Sequence, residues 1–435
     1  MAQRNSSEDT NWAMLYPELI YEILTYCISD AILSVDTPGT FPWYLGHICR
    51  SWRSVFISSP RFWDRFSFKL QAWGSTDIGA TSEVERALAL VQLCIERTKE
   101  HPFSFSFYVM MYTFAVRPSL YANQILAALV ANADRWHTAY IIADPDGLQG
   151  SLAKAKGRFG QLRTLQICVV PRPSHHHITS NLFEDAPNLT RVYATDYHRL
   201  RWSSVTVLHI QLDVGSAHRF FAEFEQMTSL EELVVRGSTS HHNYVPAELP
   251  SLRTLSVDQY FPFSLIKAPS LETLNLADSP LGADTQPVVT FLRGVNRLNT
   301  LSFDVVLNVN VATIIYWTPE LDHLILPGDI SSLDVLRSLA SRSAARSLRK
   351  INIGVRTPNS ASSIVSIMRQ LTNIVESWEK RRFPKLHFLS VYVNNRGEED
   401  IASVVCDLME LGASKGIEVD ISSSKPSPML VSFDW

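Results

Sequence analysis

Beyond about residue 135 one six-residue pattern recurs: an aliphatic residue, two variable ones, an aliphatic, one variable, an aliphatic. It stands as LRTLQI from Leu162, LTRVYA from Leu189, VTVLHI from Val205, LEELVV from Leu230 and LRTLSV from Leu252. It continues as LETLNL from Leu271, LNTLSF from Leu298, LDHLIL from Leu321, LRKINI from Leu348 and LHFLSV from Leu386. The later part of each copy alternates with period two, the mark of a short strand, and the first aliphatic residue adds one further anchor. In LRTLSV, Leu252, Leu255 and Val257 read as core while Thr254 and Ser256 face out. Helical patterns lie between copies, at residues 218–227, 332–344 and 363–378. Strand, loop and helix in repetition predict a solenoid.

The first seventy residues follow a different period. After Pro17, suited to a first helical turn, apolar residues at Leu19, Ile20, Ile23, Leu24, Cys27 and Ile28 form one helical stripe. A second stripe runs through Leu45, Ile48, Cys49, Trp52, Val55 and Phe56, and Ser58, Ser59 and Pro60 stop it. A segment this small cannot bury so much Leu, Ile, Trp and Phe within itself, which predicts a docking face.

Trp63, Phe66, Phe68 and Leu70 then alternate as a strand, leaving little room for a linker. A helix is expected over residues 82–99, with Ser82 and Glu85 spaced as a capping box. Phe103, Phe105, Phe107 and Val109 alternate as a second strand, a helix runs from Pro118 to about Asn132, and residues 135–142 supply another strand. Ile417, Val419 and Ile421 read as a last strand before a loose tail.

Composition narrows the partners. The chain has 435 residues, a net charge of -4 and no basic block, which argues against nucleic acid, because phosphate binding needs a concentrated positive surface. Its five cysteines are widely spaced in mostly apolar settings, as buried thiols of a reducing compartment are. The N-terminal residues lack the apolar core of a secretory signal, and residues 125–133 are too short an apolar run to span a membrane. A cytoplasmic or nuclear location is expected, with no membrane partner.

Candidate chemistry is sparse. His175, His176 and His177, and the pair His241 and His242, are adjacent residues that diverge in direction, so no metal site is expected. Asp144, Pro145, Asp146 and Gly147 lack the further oxygen ligands of a calcium loop and read as a turn. No nucleophile-elbow, zinc-protease, phosphate-loop or dinucleotide signature occurs, and no cysteine sits in an activated setting. Neither catalysis nor a cofactor is expected, and a hydrolase would require Ser and His residues to meet only in the fold. Outward strand positions supply the candidate target-binding residues Tyr193, His209, Glu232, Arg236, Asp258, Asp304 and Tyr392. The loop after Val257 adds Tyr260, Phe261 and Phe263, aromatics suited either to anchoring a partner or to folding back onto the solenoid.

The N-terminal residues resemble an F-box. Leu15, Pro17, Glu18, Leu19, Ile20, Ile23 and Leu24 match the family's opening helix. Ile48, Cys49, Arg50, Trp52 and Arg53 match its aliphatic-Cys-Arg-x-Trp-Arg helix, and Ser59, Pro60 and Trp63 match its close. The style is that of F-box-like proteins abundant in mushroom-forming fungi. Tyr16 replaces the first proline of the pattern, and residues 29–44 form a longer connection than usual. The repeats resemble an irregular leucine-rich-repeat array: copies start 16 to 38 residues apart, against about 20 to 29 in regular arrays. Val170, Ser238, Tyr260 and Ser279 stand where such repeats often carry Asn.

The resemblance implies an α/β chain: a tail over residues 1–13, an F-box-like domain over 14–66, capping strand and helix units over 67–135, a repeat array over 136–421 and a tail over 422–435. It further implies a substrate receptor of a Skp/cullin/F-box ubiquitin ligase. The helices would dock on a Skp-type adaptor, and through it a cullin, while the repeats hold a target protein. The adaptor-binding residues it points to are Leu15, Pro17, Leu19, Ile20, Ile23, Leu24, Ile48, Trp52 and Val55, some of which must pack the two helices on each other. Aspartate at Ile20 is expected to abolish capture. The rival reading is a repeat scaffold or sensor in which the two helices only cap the solenoid, favoured by Tyr16 and the long connection.

Overall fold

The computed structural model describes residues 16–28, 31–72, 79–111, 119–143, 150–169, 181–237, 246–258, 261–277, 286–303, 311–327, 333, 335–336, 347–355, 361–377, 386–393 and 399–422. The chain divides into two compact units, Met1–Ser204 and Val205–Trp435. That division falls inside the span expected for the repeat array.

The first unit opens with helix α1 (Pro17–Ile28), which has proline at its first position and Glu18 in the first turn, where a carboxylate favours the helix dipole. It buries Ile20, Leu24 and Ile28, a stripe of period four. Helix α2 (Arg50–Ser58) buries Trp52 and Phe56 in the same way. It ends where the Ser59 N–H and hydroxyl both donate to the Val55 carbonyl, at 3.2 and 2.8 Å, just before Pro60.

Within the long connection, β1 (Leu33–Ser34) pairs in parallel with β2 (Arg65–Ala72), Leu33 opposite Phe66. The Trp43 indole N–H donates to the Ser34 carbonyl at 2.8 Å, and its ring meets Trp63 edge-on at 5.7 Å. The extra residues therefore add a strand to the sheet rather than a free loop.

Beside β2 follow β3 (Phe103–Met111), β4 (Trp136–Ala143), β5 (Thr164–Val169) and β6 (Arg191–Ala194), in chain order and parallel. Parallel strands need long crossovers, and helices α3 (Gly79–Arg97) and α4 (Ser119–Ala131) provide two of them. Helix α3 begins ahead of Ser82, so the expected capping box does not mark its start. An aromatic spine fills the core: Phe105 on Trp136 at 4.8 Å, Trp136 on Phe159 at 5.5 Å and Phe159 on Phe183 at 4.8 Å. Each buried ring contributes on the order of 2 kcal/mol relative to an exposed one.

In the second unit β7 (Val207–Leu212), β8 (Glu232–Gly237), β10 (Thr254–Val257), β12 (Thr273–Leu276) and β13 (Thr300–Phe303) lie side by side, all parallel. The series continues through β14 (His323–Pro327), β15 (Lys350–Val355), β16 (Phe388–Val393) and β17 (Glu418–Ser422). A two-stranded pair, β9 (Ala247–Glu248) and β11 (Ile266–Lys267), lies apart from this sheet. All ten repeat copies form strands, and the first aliphatic residue of each is buried, from Leu162 to Leu386. The result is a leucine-rich-repeat-like coil in each unit, part of a mixed α/β chain.

The residue after each anchor joins one turn of this coil to the next. The Arg253 N–H donates to the Glu231 carbonyl, Glu272 to Arg253, Asn299 to Glu272, Asp322 to Asn299 and Arg349 to Asp322, at 2.8 to 2.9 Å. Side chains reinforce the ladder where charges alternate, as Arg253 with Glu272 at 3.2 Å and Arg349 with Asp322 at 3.1 Å.

Helix α5 (Val214–Ala222) starts at a capping box in which Asp213 and Ser216 exchange hydrogen bonds. It thus begins and ends earlier than the pattern over 218–227 predicts, with a 3-10 turn following at Phe224–Gln226. Helices α6 (Gln286–Leu292), α7 (Val311–Tyr316), α8 (Ala361–Glu376) and α9 (Glu399–Lys415) follow among the described residues. Of the helix expected over 332–344, Leu333, Val335 and Leu336 are described, and they are helical and buried.

Candidate interaction surfaces

The nine residues singled out for adaptor docking separate by burial. Ile20, Leu24 and Trp52 are turned into the chain's own core. Aspartate at Ile20 would therefore unfold the two-helix module instead of probing a surface, because a carboxylate would lie there without a partner. Pro17, Leu19 and Ile48 are exposed, Leu19 and Ile48 each at 50%. Ile23 and Val55 are half-buried, and Leu15 lies outside the described residues. Five residues not singled out extend the exposed apolar set: Tyr16, Ile32, Phe41, Tyr44 and Tyr26, the last 87% exposed. The core beneath is already filled, by Tyr21 against Phe62 at 5.4 Å, Phe56 against Phe62 at 6.0 Å and Phe56 against Trp63 at 5.2 Å.

In the second unit the outward row of the sheet is less open than parity suggests. In register across the strands stand His209, Val234, Ser256, Asn275 and Ser302, and all five are buried. His209, 1% exposed, pairs through Nε2 with Glu232 Oε1 at 2.8 Å. Asn275 is fully buried, and neither of its amide atoms has a hydrogen-bond partner among the described residues. Further along the sheet, burial pushes the His323 imidazole below its usual value, against a hydrogen bond with Asn352 that favours the charged form.

The other target-binding candidates scatter. Phe261 and Phe263 fold back into the core, against Phe221 at 6.1 Å and Phe291 at 5.3 Å. Asp258 bonds to the backbone of Gly237. Tyr193 and Arg236 are half-buried, and Tyr392 stands on β16 opposite Gly354. Tyr260 and Asp304 lie outside the described residues, as do the side chain of Tyr392, both histidine clusters, the turn at 144–147 and the positions Val170, Ser238 and Ser279.

Two surfaces were not singled out from sequence. One is the outward face of β2 to β6, where Arg65, Lys69, Tyr140 and Arg191 are exposed. The alternating Phe103, Phe105 and Phe107 mark the intervening Ser104, Ser106 and Tyr108 as outward, a signal that extends the sheet face ahead of the repeat pattern. The other is a cleft of about 530 Å³ beside the ends of α6 and α7. Exposed Tyr316 and Trp317 meet there at 90°, and the Arg293 guanidinium lies 4.3 Å from the Trp317 ring centre. Trp, Tyr and Arg are the residue types enriched at interface anchors.

Among the described residues no three His, Cys, Asp or Glu are grouped to hold a metal ion, and no helix is long and apolar enough to cross a membrane.

No family model matches the chain, and no curated protein does. Among solved structures, the crystal structure of a TLR13-ssRNA13 complex aligns with 68% of this chain at 13% identity and a TM-score of 0.33. The chain spans 47% of that structure's length. At that score the likeness carries no argument about function, and the fold stands on the strand order and register described above.

Proposed function

We propose that the chain is the substrate receptor of a Skp/cullin/F-box ubiquitin ligase: α1 and α2 dock on a Skp-type adaptor, and the strand faces hold a target protein. The observation that carries this reading is the apolar surface left over after the small helical module has filled its own core. Leu19 and Ile48 stay half in water while Ile20, Leu24, Trp52 and Phe56 pack inside. Exposing several large apolar groups together on one small module is unfavourable unless a partner covers them. The F-box match of Pro17, Glu18, Cys49, Arg50, Trp52 and Arg53 supplies the kind of partner. The chain would perform no bond chemistry and would need no cofactor, and its contribution is proximity, holding a target beside a ubiquitin-charged enzyme. This places it in the cytoplasm or the nucleus.

The test is binding of the purified full chain to a purified Skp-type adaptor, followed by assembly with the cullin. A stable complex of defined stoichiometry is the expected result.

A second reading has its own observation. Pairing of β1 with β2, and the Trp43 bond to Ser34, make the helical module continuous with the sheet, as a cap would be. In that case the chain is a scaffold or sensor without ligase association, and the adaptor experiment gives no complex.

A further inference from the structure

Two helix ends of the second unit meet at an aromatic corner. Helix α6 closes with the Arg293 N–H on the Val289 carbonyl at 3.2 Å and the Gly294 N–H on the Phe291 carbonyl at 3.0 Å. Helix α7 closes with the Trp317 and Thr318 N–H groups on the Ile314 and Ile315 carbonyls, both at 3.1 Å. Hydrogen bonds thus fix the backbone on both sides of the cleft. Leu292, Val295 and Leu298, all buried, give it an apolar floor. Tyr316 and Trp317 form a wall, 65% and 36% exposed, with ring centres 5.6 Å apart. Apart from Met409, no other large apolar side chain described in this unit is as exposed, so the cost of apolar groups in water is concentrated at this corner. Arg293 lies over the Trp317 ring. Among the described residues its guanidinium makes no ion pair or hydrogen bond, although Glu320 lines the same cleft. Arg253 and Arg349 of this unit are answered, by Glu272 and Asp322.

We propose that this cleft holds a short peptide segment of a target protein in which an aromatic side chain stands next to an aspartate or glutamate. The inference rests on the target-receptor reading for the source of the peptide, and adds a foothold away from the strand faces. A third ring entering the corner meets Tyr316 and Trp317 in tilted or edge-on geometry and covers the apolar floor. The five N–H donors of Arg293 suffice for a bidentate, charge-assisted bond to a carboxylate beside that ring. Contact with Trp317 already restricts the arginine, so less rotamer freedom is lost on binding. Asn296 and Glu320, exposed at the rim, suit the peptide backbone, Asn296 as donor or acceptor and Glu320 as acceptor from its N–H groups. The cleft's volume of about 530 Å³ falls within the range of about 300 to 1,000 Å³ that encloses drug-sized groups. A nucleobase also has a face for Trp317, but it brings phosphates that Glu320 and a chain of net charge -4 oppose.

The test is fluorescence anisotropy of the full chain with the labelled peptide Gly-Asp-Phe-Asp-Gly, its ends blocked so that only the aspartates carry charge. Saturable binding is expected, weakened about tenfold or more when the Phe becomes Ala or both Asp become Asn. R293Q should lower the affinity for the Asp peptide to that for the Asn peptide and leave the latter nearly unchanged, whereas Y316S should weaken both. Both changes sit at exposed side chains and should keep the wild-type circular dichroism spectrum. Either variant decides the matter if the other fails to fold. Absence of saturable binding, equal binding of the Ala peptide, or equal binding by wild type and R293Q overturns the proposal. So does tighter binding of Gly-Lys-Phe-Lys-Gly, displacement by phenylacetate as effective as by unlabelled peptide, or a preference for labelled hexauridylate. Adaptor capture is measured on the same proteins. Capture without peptide binding overturns the cleft's role alone, whereas peptide binding without capture supports the cleft and removes the ligase reading.

Discussion

The carboxylate of Asp258 accepts a hydrogen bond from the backbone N–H of Gly237, tying the end of one repeat strand to the residue that follows the next. Gly237 sits at φ +104°, and a Cβ there would meet the Leu212 carbonyl oxygen at 1.9 Å. Both the left-handed backbone and the close approach therefore require glycine. Gly237→Ala is expected to destabilise the second unit by at least about 2 kcal/mol. Asp258→Ala, which leaves that backbone donor without its charged acceptor, should cost about 1 to 2 kcal/mol. Urea unfolding of the three proteins checks the order.

The second unit carries another glycine of this kind, in α9. A Cβ on Gly412 would lie 2.2 Å from Val419 Cγ2 and 3.0 Å from the Ile417 carbonyl oxygen. Gly412→Ala should cost about 1 to 3 kcal/mol by overpacking. Val419→Ala in the same chain should restore part of that loss, since it removes the atom in collision. A double-mutant cycle by urea unfolding measures the coupling, and simple additivity of the two changes would contradict the packing.

Stability of the first unit should fall in acid because of His198. The ring is buried, with neither nitrogen hydrogen-bonded among the described residues, and burial lowers its pKa to about 4. The unfolded chain takes up this proton near 6.5, and the folded chain refuses it until about 4. The histidine therefore imposes no penalty above about pH 6.5, and stability is lost progressively as the pH falls towards 4, by about 3 kcal/mol in all. His198→Phe should flatten this part of the pH profile, measured as urea midpoints between pH 7 and pH 4. A profile with the same slope in the variant would contradict the assignment.

Thiol labelling should sort the cysteines by burial. Cys27 and Cys406 are exposed, and Cys94 is buried with its thiol pushed up to about 12. At neutral pH a maleimide should modify Cys27 and Cys406 in the native chain and reach Cys94 only after denaturation, because the thiolate is the reactive form. Mass spectrometry of peptides from briefly labelled protein gives the answer.

The strands were legible because each copy repeats a local rule: alternation sets the face, and one anchor ahead of it sets the depth. That is why Leu252, Leu255 and Val257 are all buried as read. Parity alone does not say what lies over the other face, so His209 and Ser256, read as outward, are buried as well. Phe261 and Phe263 could go either way from sequence, since an aromatic after a strand serves a core as readily as a partner. Their ring contacts to Phe221 and Phe291 decide for the core. The strand at Leu33 carries no alternating signal in its two residues, and only its pairing with Phe66 identifies it. Helix α9 was not read from the pattern.

In the helical module the sequence marks an amphipathic stripe but does not divide it between two neighbours. Ile20 and Leu19 are adjacent and equally apolar, yet one is fully buried in the chain and the other half exposed. Only the packing of Phe56, Phe62 and Trp63 beneath them shows which residue is left for a partner.

That division gives the most direct measurement of the central claim: capture of a purified Skp-type adaptor by the wild-type chain and by the variant L19D/I48D, whose changes sit at exposed positions and leave the core alone. Wild-type circular dichroism and urea midpoint are expected for the variant, with adaptor capture lost. A folded variant that retains the adaptor at wild-type affinity, or a wild-type chain that never binds it, would rule out docking through Leu19 and Ile48.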